Sequence, residues 1–377
     1  MKKKLLIISK NVFSQNDYQR FKISKIKKDV KVFYIDCSKL FFKKINIQNK
    51  KMYNYFKIKN ILECFFLIKK IKPDYIFDLL GFSFSYKTIL LRLYANLQSK
   101  CLFYFTGPKK RIPTFSNFAN GLNFFFVSPL KFFIIFNNFL TKKIFIKINF
   151  FNTIFLLSST YREEMIESIN AKKIIYFHSN DYDNYLINKK KFKIKKIKYS
   201  VFIDENVPDH DDYQISNFKS PIDGKTYYKL LNNFFSIYEK KFKTKIVIAL
   251  HPKSKLDEMK KNFLNRKIFI GKTQELIFNS RVVFTHCSTS RSYAILYNKP
   301  MIYLTSNKIS KTWFGKEIVE NCKLTSSHLM NLDKINLNIL NLSKINSKKY
   351  KQYKDKFLRH PMADNILFEN IFNKLLN

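Results

Sequence analysis

Three short polar groups in the second half of the chain could perform chemistry together. They are an acidic pair, Asp204-Glu205, a histidine before a proline, His251-Pro252, and a hydroxyl cluster, Ser288-Thr289-Ser290. Each follows a short apolar run that is typical of a buried strand. Because ligands of open α/β sheets bind outside the carboxyl ends of the strands, the three groups are predicted to converge on one crevice. Together they suit a phosphate-containing substrate and a proton transfer beside it.

The hydroxyl cluster is predicted to bind phosphate. It follows a strand predicted over residues 281–285 and opens a helix, whose unpaired N–H groups and positive dipole attract anions. Arg291 beside the cluster adds positive charge. The alternative is that Ser288 or Thr289 only caps the helix. Two further residues are candidates for contact with the phosphate: His286, beside the cluster, and Lys253, which follows His251-Pro252.

His251 ends a strand predicted over residues 245–250, and Pro252 prevents its continuation. A proline biases the preceding residue toward an extended backbone, which fixes where the ring points. An imidazole at this place can donate a hydrogen bond to a phosphate or leaving-group oxygen. A lone histidine is more often structural, and that interpretation stays open.

The acidic pair ends a strand predicted over residues 199–203. Two adjacent carboxylates disfavour each other's ionised form, so the pKa of one can rise toward a value useful for a base. Asp209, His210, Asp211 and Asp212 follow closely, which makes this the most acidic part of a basic chain. A metal site or a polar surface turn would use the same residue types.

Composition sets the outer limits. The chain has 377 residues, of which 46% are hydrophobic, enough for two domains with cores of their own. Its formal net charge is +43, which indicates either solvated lysine-rich faces or an anionic membrane surface as a partner. The lysines are dispersed and no nucleic-acid-binding motif occurs, so specific nucleic-acid binding is disfavoured. Five scattered cysteines without a C-x-x-C pair indicate neither a zinc site nor a disulfide framework, and favour the cytoplasm.

Apolar runs and helical periodicity alternate along the whole chain. Helices are predicted, among others, over residues 53–70, 85–98, 160–170 and 290–297. Strands separated by helices indicate parallel βαβ units. The predicted fold is therefore α/β, with two Rossmann-like domains facing each other across a cleft. The predicted domains are residues 1–187 for the acceptor, residues 188–345 for the donor nucleotide, and a helical tail, 346–377, that could pack on either.

No membrane-spanning helix is predicted. The most apolar stretch, residues 124–140, is interrupted by Pro129 and Lys131, whereas a spanning helix needs about 20 apolar residues. Two interpretations of this stretch stay open: a helix in the core, or a helix at a membrane interface. The first apolar run, residues 5–9, is too short for a signal peptide.

The order of the three motifs resembles that of bacterial sialyltransferases and of the related Kdo and nonulosonic acid transferases of surface-polysaccharide synthesis. In those two-domain GT-B enzymes an acidic pair with a following Gly, then His-Pro, then Ser-Ser or Ser-Thr occur in this order. Here Asn206 stands in place of the Gly, and the resemblance covers residues 199–305.

This resemblance implies a role for each motif. Asp204 or Glu205 would be the catalytic carboxylate, and His251 would assist the departing CMP phosphate. The hydroxyls of residues 288–290 would bind that phosphate. Tyr293-Ala294 replaces a ribose-binding Glu of other GT-B enzymes, which favours a pyrimidine monophosphate donor.

The expected function is transfer of a CMP-activated sialic-acid-like, nonulosonic or Kdo residue onto a cell-surface glycan or glycolipid. The nucleotide sugar is a substrate, and no cofactor or metal is expected. Two alternatives remain: a GT-B transferase that uses a UDP-, GDP- or dTDP-sugar, and a non-catalytic basic protein that binds membrane or RNA. The expected location is the cytoplasm, peripheral on the anionic inner membrane.

The first half of the chain offers few candidate site residues after its predicted strands. Four residues are expected to face the acceptor cleft: Asp78, Gly107, Asp181 and Asp183. Their identification rests only on their positions after apolar runs.

Overall fold

The computed structural model contains two compact α/β units. It describes residues 2–12, 15–26, 30–42, 54–81, 85–105, 149–163, 169, 171–194, 199–210, 219–252, 254–340, 342 and 345–376. Unit 1 comprises Met1–Asp183 and Lys356–Asn377, and unit 2 comprises Asn184–Asp355. The division falls after Asp183, four residues before the predicted boundary at residue 187, and the helix over Asn180–Asn188 crosses it.

The described helices fall between the strands, as a βαβ chain requires, except the last two, which follow the final strand. They are α1 (Gln15–Arg20), α2 (Ile23–Ile26), α3 (Ser38–Phe41), α4 (Ile61–Ile71), α5 (Tyr86–Gln98), α6 (Asn180–Asn188), α7 (Gly224–Phe242), α8 (Leu256–Asn262), α9 (Thr273–Asn279), α10 (Arg291–Leu296), α11 (Asn307–Ser310), α12 (Trp313–Thr325), α13 (Ser347–Tyr353) and α14 (Phe368–Leu376). Short 3-10 turns cover Thr160–Arg162, Val207–Asp209 and Leu337–Ile339, and a π-helical turn covers Lys354–Leu358.

Unit 1 is built on a parallel sheet. Its strands are β1 (Lys3–Ser9), β2 (Val30–Asp36), β3 (Tyr55–Lys57), β4 (Tyr75–Leu79), β5 (Lys100–Phe105), β6 (Thr153–Leu157) and β7 (Lys173–Tyr176). Their order in the sheet is β3-β2-β1-β4-β5-β6-β7, and all pairs are parallel. The residues of β1 from Leu5 to Ser9 are all buried, as expected for a parallel strand that has helices on both faces.

The two faces of this sheet have separate cores. Leu6 and Ile8 of β1 pack with α4 and α5, while Leu5 and Ile7 pack with α2 and α14 on the opposite face. The chain's C-terminal helix therefore belongs to unit 1, where the ring of Phe372 meets that of Phe77 edge-on at 5.5 Å.

Unit 2 is built on a second parallel sheet. Its strands are β8 (Tyr199–Ile203), β9 (Ile246–Leu250), β10 (Ile268–Ile270), β11 (Ser280–Thr285), β12 (Met301–Thr305) and β13 (His328–Asn331). Their order is β10-β9-β8-β11-β12-β13, which is the Rossmann order 3-2-1-4-5-6 when counted within the unit. The strand order reverses between β8 and β11, so the ligand crevice of such a sheet is expected at their carboxyl ends.

The α/β class and most strands are as predicted, with differences at short edge elements. The helix predicted over residues 53–70 is instead the strand β3 followed by α4. The side chain of Asn60 accepts a hydrogen bond from the N–H of Glu63 and so starts α4 at Ile61. The edge strand β13 is not predicted from the sequence, because it begins and ends with polar residues and forms no continuous apolar run.

Among the residues that the structure describes, no helix is long and apolar enough to cross a membrane. The apolar stretch of residues 124–140 lies outside the described residues.

Candidate active site

The three motifs follow three adjacent strands at one edge of the unit 2 sheet. The pair Asp204-Glu205 follows β8, His251 follows β9, and the hydroxyl cluster follows β11. Because β8 pairs in parallel with both β9 and β11, the carboxyl ends of all three strands lie at the same edge. This edge includes the point where the strand order reverses.

Asp204 connects the ends of β8 and β9. Its Oδ2 accepts a hydrogen bond from the N–H of His251 at 3.2 Å and lies 3.5 Å from the hydroxyl of Ser254. Its Oδ1 accepts from the N–H of Asn206 at 3.1 Å. Burial raises the pKa of Asp204 above its usual range, while these hydrogen bonds act against the rise. The buried carboxylate therefore positions the backbone of His251.

Asn206 adopts a left-handed backbone, with φ 49° and ψ 45°. Glycine is the residue that adopts this conformation most easily, and asparagine tolerates it better than most others do. Asn206 is thus compatible with the turn that brings the N–H of residue 206 to Asp204.

A pair of substitutions tests this role of Asn206. Asn206→Gly should change the free energy of unfolding by less than about 0.5 kcal/mol, whereas Asn206→Ala should lower it by about 1 kcal/mol, since its Cβ strains a left-handed backbone. Urea unfolding of both variants measures the difference. Equal costs for Gly and Ala would contradict the conformational explanation.

Glu205 connects β8 to the loop after β11. Its Oε1 accepts hydrogen bonds from the Thr285 hydroxyl at 3.1 Å, the His286 N–H at 2.9 Å and the Cys287 N–H at 2.8 Å. Burial raises the pKa of Glu205 to about 7, and these donors together with the Arg291 guanidinium limit the rise. The residue as a whole is partly exposed, while its carboxylate is enclosed by these donors. A carboxyl with this pKa changes its protonation state near neutral pH.

The acidic pair thus contacts both neighbouring strand ends through adjacent residues. Asp204 holds the turn at His251, and Glu205 holds the loop that leads to Ser288. The structure therefore brings the three motifs together at one edge of one sheet. Thr285, the last residue of β11, was not identified from the sequence, because a buried threonine in a strand has no distinguishing pattern.

The loop of residues 288–290 offers hydroxyl groups more than backbone N–H groups. Thr289 is exposed, and Ser288 and Ser290 are partly exposed. The N–H of Ser290 donates to the Ser288 hydroxyl, and the N–H groups of residues 291–293 donate to carbonyl oxygens of the loop. The helix begins at Arg291, later than predicted, and the Ser290 hydroxyl makes no capping bond. The N–H groups of residues 291–293 are therefore already paired and are not available to bind a phosphate, contrary to the prediction for this helix start.

Arg291 supports the loop from inside the unit. Its buried guanidinium donates to the carbonyl oxygens of Cys287 at 2.5 Å and Ser288 at 2.8 Å, and to the side chain of Asn321 at 2.7 Å. The predicted direct contact of Arg291 with phosphate is therefore replaced by a positioning role, because the side chain points into the core.

His286 is a core residue. Its ring is fully buried, with Nδ1 2.7 Å from the carbonyl oxygen of Leu304 and Nε2 3.1 Å from the hydroxyl of Tyr227. A neutral ring that donates from Nδ1 and accepts at Nε2 satisfies both contacts. Burial lowers the pKa of His286 to about 4. The predicted contact of this residue with the nucleotide is therefore not retained.

His251 is partly buried at the end of β9, and its ring centroid lies 5.6 Å from that of His210. Lys253 lies outside the described residues, as do Asp211 and Asp212. Within the described part of the chain, no three or more His, Cys, Asp or Glu side chains are grouped so that they could hold a metal ion.

Two of the four residues predicted to face an acceptor are buried inside unit 1. Asp78 forms an ion pair of 2.6 Å with Arg92 inside the unit, which leaves its carboxylate no free face. Asp183 is also buried and accepts a hydrogen bond from the N–H of Phe368 at 2.8 Å. Asp78 and Asp183 therefore have structural roles and do not face an acceptor, contrary to the prediction. Asp181 is partly exposed, and Gly107 lies outside the described residues.

Comparison with known proteins gives information about the fold. No protein-family model matches the chain. No curated protein matches it either.

Several solved structures match the chain over its whole length. The glycotransferase of kitacinnamycin is similar with a TM-score of 0.50 and 9% identity, over 100% of this chain and 99% of that one. A UDP-GlcNAc 2-epimerase from Methanocaldococcus jannaschii has a TM-score of 0.47 and 15% identity, over 99% of both chains. The wall teichoic acid polymerase TagF has a TM-score of 0.47 and 10% identity, over 100% of this chain and 88% of that one. The two parallel-sheet units are those of the GT-B fold, as the sequence analysis predicts.

Proposed function

We propose that this chain is a GT-B glycosyltransferase that transfers a sugar from a nucleotide donor to a glycan or glycolipid. The observation that carries the proposal is the contact of Asp204 and Glu205 with the ends of β9 and β11, at the point where the strand order reverses. A nucleotide sugar bound at this edge would meet a carboxylate, an imidazole and hydroxyls together.

Each motif has one role in the proposed reaction. The hydroxyls of residues 288–290 bind the nucleotide phosphate. The Glu205 carboxylate accepts the proton of the acceptor hydroxyl, whose oxygen forms a bond to the anomeric carbon of the sugar. The bond from that carbon to the phosphate oxygen breaks, and its electron pair leaves with the nucleotide. His251 donates a hydrogen bond to the departing oxygen.

The donor is proposed to be a CMP-activated 2-keto sugar acid. The motif order of residues 199–305 supports this choice, as does α10, where Tyr293 and Ala294 are buried and no carboxylate is present to hold a ribose. Metal independence belongs to the same proposal and predicts full turnover in the presence of EDTA. The acceptor is proposed to lie at an anionic membrane surface, which suits the net charge of +43.

Nucleotide titration tests the donor. Trp313 is the chain's single tryptophan, is 49% exposed, and opens α12 close after β12. Because β12 ends at the same edge of the sheet as β11, a bound nucleotide should change the tryptophan fluorescence. CMP is expected to bind at least about tenfold more tightly than UDP, GDP or dTDP, which corresponds to about 1.4 kcal/mol.

The other outcomes of this titration are equally clear, and calorimetry of the same nucleotides provides a control that does not depend on fluorescence. Preference for UDP, GDP or dTDP would reject the CMP donor and keep the transferase. Absence of binding by all four nucleotides would contradict the enzyme and favour a non-catalytic basic protein.

A further inference from the structure

Two neighbouring helices cover one face of the unit 1 sheet. The inner side of α4 buries Cys64 and Ile68, and the inner side of α5 buries Leu91 and Ala95, all in the same core. The rings of Phe65 on α4 and Tyr94 on α5 stack with their centroids 4.2 Å apart, so the two helices are in direct contact. Their outer sides therefore form one continuous surface, called here the α4–α5 face.

The α4–α5 face exposes large apolar side chains. These are Leu62 (74% exposed) and Phe66 (65%) on α4, and Tyr86 (66%), Leu90 (44%) and Leu97 (69%) on α5. On each helix they follow the helical repeat and form a stripe on the side opposite the core. Charged or polar residues usually occupy this side of a surface helix, so a stripe of this kind marks an interaction surface.

The charges around the stripe are almost all positive. The exposed lysines next to the two helices or on them are Lys59, Lys69, Lys70, Lys72 and Lys100. α5 contains no acidic residue, and the single one on α4, Glu63, accepts hydrogen bonds from the N–H of Lys59 and the side chain of Asn60. Asp74, exposed after α4, accepts a hydrogen bond from the N–H of Lys4 at 2.7 Å. In the sequence, no Asp or Glu occurs between Asp78 and Glu163.

We infer that the α4–α5 face docks on an anionic lipid bilayer. Its leucines and aromatic rings would enter the boundary of the acyl chains, while the lysines would contact the headgroups. A second copy of this chain fits less well, because two such faces would bring their lysines together. The inference specifies the surface for the membrane association included in the proposed function.

Vesicle co-sedimentation of the full chain tests this inference. The probe is vesicles of phosphatidylcholine and phosphatidylglycerol in equal parts, compared with phosphatidylcholine alone. The chain should bind the anionic vesicles preferentially, and less at high salt. The triple variant Phe66→Ser, Leu90→Ser, Leu97→Ser should bind at least about tenfold more weakly, since it removes three membrane-inserting side chains. A control variant, Leu264→Ser with Ile270→Ser, changes exposed apolar residues of unit 2 and should bind as the unchanged chain does.

A second variant keeps the apolar stripe and reverses charge. Lys69→Glu with Lys70→Glu should also weaken binding to anionic vesicles, and both positions are exposed, so folding should be retained. Unchanged vesicle binding by both variants would overturn the inference. So would a change from dimer to monomer in light scattering with no change in vesicle binding. Both variants should bind CMP with the affinity of the unchanged chain. A loss of vesicle binding can therefore be distinguished from a failure of the proposed nucleotide site.

Discussion

Replacing Glu205 by Gln is expected to lower turnover by about 10³-fold, within the range for loss of a general base. Glutamine has nearly the same size but cannot accept the acceptor's proton. Its amide group also presents N–H donors to a site where the carboxylate now accepts from the N–H groups of His286 and Cys287. Steady-state kinetics with the nucleotide sugar measure the loss.

The pH dependence of turnover distinguishes a base from a structural carboxylate. The pKa of Glu205 is raised to about 7, and a base acts in its deprotonated form, so turnover should rise with pH through about 7. In Glu205→Gln this rise should disappear. Retention of the rise in the variant would contradict the role of Glu205.

A variant of the other carboxylate is the matched control. Asp204→Asn should reduce turnover by disturbing the backbone at His251, but it should keep the rise with pH, because Asp204 acts by positioning. If the rise disappeared in this variant and remained in Glu205→Gln, the two carboxylates would exchange their assigned roles.

Replacing His251 by Ala is expected to lower turnover by about 10²-fold. The strand β9, Pro252 and the hydrogen bond from the His251 N–H to Asp204 together fix the position of this residue at the edge of the sheet. An imidazole held there would stabilise the negative charge that develops on the departing phosphate oxygen. The loss should therefore appear in kcat more than in KM.

A histidine elsewhere in unit 2 provides the comparison. His328 starts the edge strand β13 and is also partly buried, so His328→Ala should leave turnover unchanged. Turnover of His251→Ala close to that of the unchanged chain would reject the leaving-group role.

Much of the fold can be predicted from local patterns. Runs such as Ile246–Leu250 are apolar throughout because parallel strands are buried on both faces, and polar groups follow several of these runs where the strand ends. The positions of Asp204, His251 and Ser288 after three such runs are therefore predictable. The short strand β3 and the edge strand β13 are not, because residues 53–70 carry a helical period throughout and β13 begins and ends with polar residues.

The orientation of polar side chains depended on distant residues. Arg291 and His286 both lie beside the hydroxyl cluster in the sequence, yet they point into the core because Asn321 and Leu304 provide acceptors there. Asp78 is likewise buried because Arg92 pairs with it. A buried polar group needs a partner, and its partner can lie anywhere in the chain.

The sequence by itself thus determined the α/β class, the parallel sheets and the strand ends that carry polar groups, since these follow from periodicity and burial over a few neighbouring residues. Only the three-dimensional arrangement settles which element each of the two adjacent carboxylates contacts, since Asp204 meets the turn after β9 and Glu205 meets the loop after β11. It also decided that the C-terminal helix packs on unit 1, through Phe368 and Phe372. These outcomes depend on contacts between segments far apart in the chain, which local patterns do not encode.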